Sequence, residues 1–313
     1  MKWPFAILLL LIVIAVFVLL VYLRIAHRPA FRQNSKEVVI REPGERYLGA
    51  PQPVRPEAQK DQDFARLSES AYEKMKADKS RQTSTVSAVD TALRGEGWVP
   101  WPNFPDDGLQ QEIVNAHLRV QVWTNPSRDA VAVAFGGTVL ESGKDWRSNF
   151  RWFIPHHEDE YTEIVRRFAP AFATEFLKRK EQREWAFLQH ASIYATGHSL
   201  GGGLAQQFAY SLPKNPTGPH VAQVFAFDPS PVTGYYSVEK SIREYNERGL
   251  KIDRIYERGE VLAILRSLTN FLYKPSAANP TVRHVRYALF CSSNPITGHS
   301  IADLTRNLEA AAR

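Results

Sequence analysis

A serine set between glycines is the feature of the sequence most suggestive of chemistry. Residues 197–201 fit the pattern G-x-S-x-G, between a predicted strand and a predicted helix. A sharp strand-to-helix turn crowds the backbone, so the residues that flank the serine must be glycine. The turn lifts the hydroxyl of Ser199 clear of the sheet, where the amide of Leu200 at the helix N-terminus can stabilise an oxyanion. The pattern predicts Ser199 as a nucleophile. The rest of the predicted elbow is Gly197, His198 and Gly201.

A serine nucleophile needs a general base, and hydrolases with this elbow have the chain order serine, acid, histidine. The histidines that follow the elbow are His220, His284 and His299. His220 precedes both acids considered below, Asp228 and Glu260. His284 lies inside a predicted strand, where a packed structural role is expected. His299 follows the last predicted strand, and Ser300 with Asp303 forms a capping pattern that fixes the next helix. Order and placement therefore predict His299 as the base.

Two carboxylates are candidates for the third member of the triad. Asp228 follows the predicted strand 221–227, and Glu260 follows the predicted strand 252–256. Either carboxylate could orient the imidazole and stabilise the imidazolium that forms during the reaction. Asp228 could instead be only a turn-forming Asp-Pro residue, and Glu260 only a solvated loop carboxylate. The residues alone leave both acids open.

Alternating strands and helices must position these side chains. Strands are predicted at 117–123, 130–135, 191–196, 221–227, 252–256 and 281–290. Helices are predicted at 64–75, 158–183, 199–211, 238–248 and 301–312. This alternation predicts an α/β fold with a mostly parallel central sheet covered by helices on both faces.

The N-terminus has the pattern of a membrane span. Residues 3–23 form a run of 21 residues without a charged side chain. As a helix this run would span about 31 Å, close to the thickness of the hydrocarbon core of a bilayer. A cleaved signal peptide is disfavoured, because the run is too long and the candidate cleavage sites place arginine where a small residue is needed. We therefore expect a transmembrane anchor over residues 1–24.

Composition divides the rest of the chain in two. Residues 25–60 are rich in proline and arginine, which predicts a solvated juxtamembrane linker, and residues 61–313 are expected to form the catalytic domain. The formal net charge is +6, with eight basic and four acidic side chains between residues 24 and 60, and the chain beyond them is nearly neutral. This distribution suits anionic lipid headgroups better than nucleic acid. The positive-inside tendency then predicts a single-pass membrane protein with a cytoplasmic catalytic domain. The oligomeric state is not predicted.

These motifs resemble those of the class 3 lipase family, the fungal-type triacylglycerol lipases and their bacterial relatives, from about residue 63 to the C-terminus. Residues 197–202 match the family's G-H-S-L-G-G segment, and residues 132–138 are similar to its apolar strand that ends in F-R-G-T. The resemblance implies an α/β-hydrolase fold. It also makes Thr138 an oxyanion-hole residue beside Leu200.

The family resemblance also bears on the acid and the base. Residues 258–262 resemble the family's N-D-x-V-P acid loop, which favours Glu260 over Asp228, and His299 fits the family's C-terminal histidine. Three features depart from the family pattern. Gly136 stands where the family has arginine, and Glu260 stands where it has aspartate. Residues 228–234 follow the family's G-x-P-R-V-G segment only loosely.

The sequence therefore predicts a serine esterase or lipase that cleaves acyl esters, among them membrane lipids, through an acyl-enzyme. No metal or organic cofactor is implied, because the run of histidine and acidic residues at 156–160 suits the first turn of a helix better than a metal site. Two alternatives stay open. One is an inactive membrane-tethered binding module on the same fold, and the other is a thioesterase or peptidase that uses the same triad.

Overall fold

The computed structural model describes residues 36–80, 87–115, 119–136, 160–230, 233–259, 274–289 and 299–313. The strands are β1 (Glu37–Arg41), β2 (Val99–Pro100), β3 (Arg119–Asn125), β4 (Ala130–Gly136), β5 (Ser192–His198), β6 (Val221–Phe227), β7 (Lys251–Glu257) and β8 (Thr281–Ala288). The helices are α1 (Arg55–Ser80), α2 (Ala88–Gly95), α3 (Asp107–Asn115), α4 (Glu160–Lys180), α5 (Leu200–Ser211), α6 (Lys240–Asn246) and α7 (Ile301–Ala312). Short 3₁₀ turns occupy Pro126–Arg128, Arg183–Gln189 and Tyr235–Ser237.

The strands form one sheet in the order β1-β8-β7-β6-β5-β4-β3-β2. The five strands from β4 to β8 are parallel. The strands at the two edges, β1 on one side and β2 with β3 on the other, pair antiparallel. The predicted mostly parallel sheet is therefore confirmed. Since parallel strands have their carboxyl ends on the same side of the sheet, the residues after β5, β6 and β7 lie close together on that side.

The pleat of β4 shows how the two faces of the sheet are covered. Val131, Val133 and Phe135 belong to a buried cluster that includes phenylalanines of α4 and α5. The alternating alanines 130, 132 and 134 belong to a second cluster, with Phe64 and other residues of α1. Successive side chains of a strand point to opposite faces, so both faces are apolar. The small alanines let α1 approach the sheet closely.

The first edge strand, β1, differs from the sequence-based prediction of a solvated linker over 25–60. Val38 and Ile40 are buried, and β1 pairs with β8. The proline-rich stretch after β1 folds back along its open edge, where Val38 exchanges two backbone hydrogen bonds with Gln52. The consecutive β-branched residues at 38–40 favour a strand. Pro51 and Pro53, on either side of Gln52, have no N–H and so cannot donate to a further strand at this exposed edge.

The predicted membrane localisation is corrected. Within the described ranges, no helix is both long enough and apolar enough to cross a bilayer. The longest described helix, α1, carries Lys60, Asp61, Asp63 and Arg66 within two turns, and charges at that density exclude a span. The anchor predicted over residues 1–24 lies outside the described residues.

A buried carboxyl joins α1 to the sheet. Asp61 is fully buried, and its Oδ2 accepts a hydrogen bond of 2.8 Å from the hydroxyl of Tyr287 on β8. Burial, followed by the nearby charge of Asp253, raises the pKa of Asp61 from 3.8 to about 7. Burial also raises the pKa of Tyr287. Asp61 is therefore held in its neutral form through the mildly acidic range.

This raised pKa predicts how stability depends on pH. The unfolded carboxyl ionises near 3.8 and the folded one only near 7, so the stability that the protonated Asp61 contributes is lost as the pH rises through that window. Asp61→Asn should gain stability relative to wild type between pH 4 and pH 8. Urea unfolding at several pH values measures this. Glu244→Gln, at an exposed position on α6, is the control. A pH-independent difference between Asp61→Asn and wild type would contradict the prediction.

Candidate active site

The turn between β5 and α5 holds Ser199 in a strained backbone conformation. Its φ is 56° and its ψ is −120°, a region that residues with a side chain rarely adopt. The backbone N–H of Ser199 donates to the carbonyl of Phe227 at 2.9 Å, and its own carbonyl accepts from the amide of Ser230 at 2.9 Å. The end of β6 thus fixes both sides of the serine, whose side chain remains partly exposed.

The two glycines of the elbow are required by close backbone approach. A Cβ on Gly197 would overlap the carbonyl group of Gly201, and a Cβ on Gly201 would overlap the carbonyl group of Phe135 at the end of β4. The obstructing atoms are backbone, which cannot move without separating α5 from the sheet. The predicted glycine requirement at this turn therefore has a steric cause at both positions.

Gly136, where the family pattern has arginine, is explained by the position of α1. A Cβ at Gly136 would lie 3.0 Å from the carbonyl oxygen of Ala71 and 3.1 Å from Cβ of Arg119, its cross-strand partner on β3. The backbone of α1 occupies the space into which a larger side chain would extend. The close packing of α1 accounts for the glycine.

His299 lies at hydrogen-bonding distance from Ser199, although 100 residues separate them in the sequence. Its Nε2 is 3.1 Å from the serine Oγ, and the ring is mostly buried. Ser300 caps α7, with its hydroxyl accepting from the amide of Asp303 at 3.3 Å. The cap fixes the start of α7 and with it the position of the preceding imidazole.

Asp228 follows β6 and is fully buried beside the histidine. Its φ is 40°, and its amide donates to the carbonyl of Ile255 at 2.7 Å. Oδ1 accepts a hydrogen bond of 3.2 Å from the amide of Glu257 at the end of β7. One oxygen of Asp228 and one ring nitrogen each of His299 and His198 lie within 4.8 Å of one another. The sheet edge therefore brings a serine, two imidazoles and a carboxylate together.

The side chain of His198 faces the same carboxylate from β5. Its Nε2 is 3.9 Å from Oδ2 of Asp228, and its ring centroid is 4.7 Å from that of His299. Tyr72, on α1, donates its hydroxyl to the carbonyl of His198 at 3.0 Å, and the same oxygen lies 3.3 Å from Nδ1. Tyr72 falls within the helix predicted at 64–75, but this contact was not predicted, because no local pattern shows which group its hydroxyl contacts.

A second buried carboxylate, that of Glu257, lies beside the site and was not anticipated from the sequence. The residue is fully buried, and both of its carboxylate oxygens are 3.2 Å from the amide of Leu289, just after β8. The carboxylate therefore ties the end of β7 to the residue that follows β8. Its position as the last residue of β7, where parallel strands present their site residues, was the sequence signal that could have identified it.

The other predicted residues separate into two groups. His220 directly precedes β6 and so lies at the opposite edge of the sheet from Ser199. His284 is buried within β8, beside Arg254 of β7 in the register. Neither adjoins the serine. Thr138 and Glu260 lie outside the described residues, whereas Leu200 is the first residue of α5, where backbone N–H groups have no partner within a helix.

Two imidazoles and a carboxylate are also a set that a metal ion accepts. Ligand nitrogens lie about 2.0–2.1 Å from zinc, which places neighbouring ligand atoms roughly 3.3–3.5 Å apart. The 3.9 Å between His198 and Asp228 is wider than this, and His299 Nε2 is directed at Ser199. The described geometry therefore fits a hydrogen-bonded hydrolytic site better than a metal centre.

The steric argument for the elbow predicts that Gly201→Ala lowers the free energy of unfolding by about 3 kcal/mol, in the range of severe overpacking. Gly95→Ala is the matched control, because a Cβ there has nothing within 4 Å and should leave stability within about 1 kcal/mol of wild type. Urea denaturation measures both. Equal stability of the two variants would show that the elbow tolerates a side chain.

Comparison with known proteins adds a family to this geometry. The sequence model of the family described as lipase (class 3) matches residues 132–267. No curated protein matches the chain in sequence. Among solved structures, the chain is similar to a fungal lipase in an inhibitor complex, with 14% identity, a TM-score of 0.42, and coverage of 65% of this chain and 72% of that one.

Two further fungal lipases show a comparable likeness. For the Rhizomucor miehei lipase in its propeptide complex, identity is 13%, the TM-score 0.42, and coverage 68% of this chain and 65% of that one. For lipase II from Rhizopus niveus, identity is 13%, the TM-score 0.40, and coverage 79% and 92%. The family match supports lipase-type ester hydrolysis as the class of reaction. It also confirms the predicted resemblance to the class 3 lipase family over a segment that contains most of β4, the Ser199 elbow and Asp228.

Proposed function

We propose that the protein is a serine hydrolase that cleaves carboxylic esters of lipids through an acyl-enzyme intermediate. One observation carries the proposal: the hydroxyl of Ser199, on a strained strand-to-helix turn, lies 3.1 Å from Nε2 of His299. A serine hydroxyl is a weak nucleophile unless a neighbouring base accepts its proton. This contact supplies the base.

In the acylation step, Ser199 Oγ attacks the ester carbonyl carbon while His299 Nε2 takes the hydroxyl proton. The carbonyl π electrons move to oxygen and form a tetrahedral oxyanion. When the intermediate collapses, the bond to the leaving alkoxide breaks and His299 gives it the proton, so that an alcohol departs and an acyl-serine remains. Water then repeats the sequence with the same base, releasing the carboxylic acid and restoring the serine.

The oxyanion needs donors that are already in place before the charge develops. The amide of Leu200 lies at the N-terminus of α5, where the helix dipole favours negative charge. We propose this amide as one donor. Thr138 is proposed as the other donor on the family resemblance alone, since it lies outside the described residues.

We propose Asp228 as the acid, although the family motif favours Glu260. Three described features support Asp228: it is fully buried, it has an oxygen within 4.8 Å of a ring nitrogen of His299, and the amide of Glu257 orients its carboxylate. A carboxylate held in this way can accept from the imidazole N–H that does not face the serine and can stabilise the imidazolium. Glu260 lies outside the described residues and remains the alternative that mutation must exclude.

The competing functions make different predictions for the same sample. An inactive binding module needs no reactive serine, whereas a thioesterase or peptidase would use the same groups on another acyl bond. Labelling of the full-length chain with a fluorophosphonate separates the first from the others. A panel of an ester, a thioester and an anilide with the same acyl group then separates the enzyme classes by their kcat/KM values.

Ser199→Ala should abolish fluorophosphonate labelling and lower kcat on a short soluble ester at least about 10⁴-fold, because the members of a triad act as a unit. Ser211→Ala, at the far end of α5, is the control and should label like wild type. Thermal unfolding checks that both variants fold. Retention of more than a few per cent of the activity in Ser199→Ala would remove the serine from the mechanism.

Asp228→Asn should lower kcat by roughly 10³–10⁴-fold, as loss of a triad acid does, while Glu260→Gln should cost much less. Both changes keep side-chain size, so steady-state kinetics on the same ester compare them directly. The opposite ranking would transfer the role to Glu260 and return the assignment to the family motif.

A further inference from the structure

His198 is a second imidazole at the carboxylate that the proposed triad uses. Its Nε2 lies 3.9 Å from Oδ2 of Asp228, and both side chains are almost entirely buried. Its ring also lies 4.7 Å, centroid to centroid, from that of His299. Two imidazoles therefore surround one carboxylate, yet the proposed mechanism employs only His299.

Tyr72 determines which nitrogen of His198 holds a fixed proton. The phenol has one proton, which it donates to the backbone carbonyl oxygen of His198 at 3.0 Å. The same phenolic oxygen lies 3.3 Å from Nδ1 of His198, where it can then only accept. A hydrogen bond at this contact requires the proton on Nδ1, and the neutral imidazole then has its lone pair on Nε2, the atom that faces Asp228.

The consequence is that proton uptake by His198 occurs at Nε2 and creates a charge directed at Asp228. Among the residues that the structure describes, titratable groups face the ring from three elements: Tyr72 on α1, Asp228 after β6 and His299 before α7. The carboxylate favours the charged form of His198. The imidazolium that His299 forms in the transition state is stabilised by the same Asp228 carboxylate. A positive charge on His198, so close to His299, would repel that imidazolium.

We propose that His198 is a positioning residue whose proton, set at Nε2 by Tyr72, controls whether Asp228 is available to His299. With His198 neutral, Asp228 supports the charging of His299 and the site is active. With His198 protonated, the carboxylate is shared between two imidazoles and the transition state loses its support. This inference rests on the proposed triad and adds a second ionisation to the acid side of its pH profile.

The test is the shape of the acid limb of kcat/KM, which reports ionisations of the free enzyme. If two histidines must both be neutral, log kcat/KM should rise with a slope near 2 in wild type, and with a slope near 1 in His198→Asn. Asparagine keeps an N–H donor for Tyr72 and cannot titrate. The exposed His190→Asn is the control and should keep the steeper limb. An unchanged slope in His198→Asn would overturn the inference, because loss of a merely structural side chain changes the rate and not the number of ionisations.

Fluorophosphonate labelling of the same samples at pH 8 separates this inference from the proposed function. An unlabelled wild type would refute the serine mechanism itself, whereas a labelled enzyme with a slope near 1 would refute only the role of His198. Should His198→Asn fail to fold, ¹⁵N spectra of wild-type histidines decide. Nδ1 of His198 should carry its proton across the titration, with Nε2 gaining one in acid. A neutral form protonated at Nε2 would contradict the assignment, and Tyr72→Phe should produce that form.

Discussion

The left-handed backbone of Ser199, held where β4, β5 and α5 approach one another, is the constraint on which the site depends. Gly197 and Gly201 let the backbones come this close, and the carbonyl of Phe227 and the amide of Ser230 secure the serine from the next strand. A strained φ of 56° persists only where surrounding structure over-determines it. Burial of nearly all of α5 between the sheet and α4 offsets the free-energy cost of this backbone strain. The packing that stabilises the fold therefore also holds Ser199 in place.

The parallel arrangement of the central strands brings the other side chains of the candidate site close to the Ser199 turn. The carboxyl ends of β5, β6 and β7 present His198, Asp228 and Glu257 at one edge, and His299, just before α7, lies beside His198 and Asp228. Backbone amides then orient the carboxylates, as Glu257 does for Asp228 and Leu289 for Glu257. Each strand end is thus tied to the next, which fixes the relative positions of the proposed acid, base and nucleophile.

Much of this arrangement could be predicted from the sequence, because its signals are local. The G-x-S-x-G pattern predicts the elbow, and the alternation of strands and helices predicts the parallel sheet. Chain order selects His299, which the structure places 3.1 Å from Ser199. The strand β1 was missed, since prolines and charges outweighed three consecutive β-branched residues whose pairing partner, β8, lies more than 240 residues away.

The contacts of the acid and of the second histidine could not be predicted, for a different reason. The contact between Tyr72 and His198 joins residues 126 positions apart, and the choice between Asp228 and Glu260 depends on distances that neither local sequence contains. A family motif favoured Glu260, whereas the described geometry supports Asp228. The predicted membrane span likewise came from composition alone, and no described helix has the character of a span.

The central claim is that Ser199 carries the acyl group of the substrate during turnover. The most direct measurement is mass spectrometry of the full-length enzyme quenched in acid during hydrolysis of an activated short-chain ester, followed by peptide mapping. The mechanism predicts one acyl group per chain, on the peptide that contains Ser199, and its loss on longer incubation at neutral pH. An acyl group trapped on another residue, with none on the peptide that contains Ser199, would contradict it.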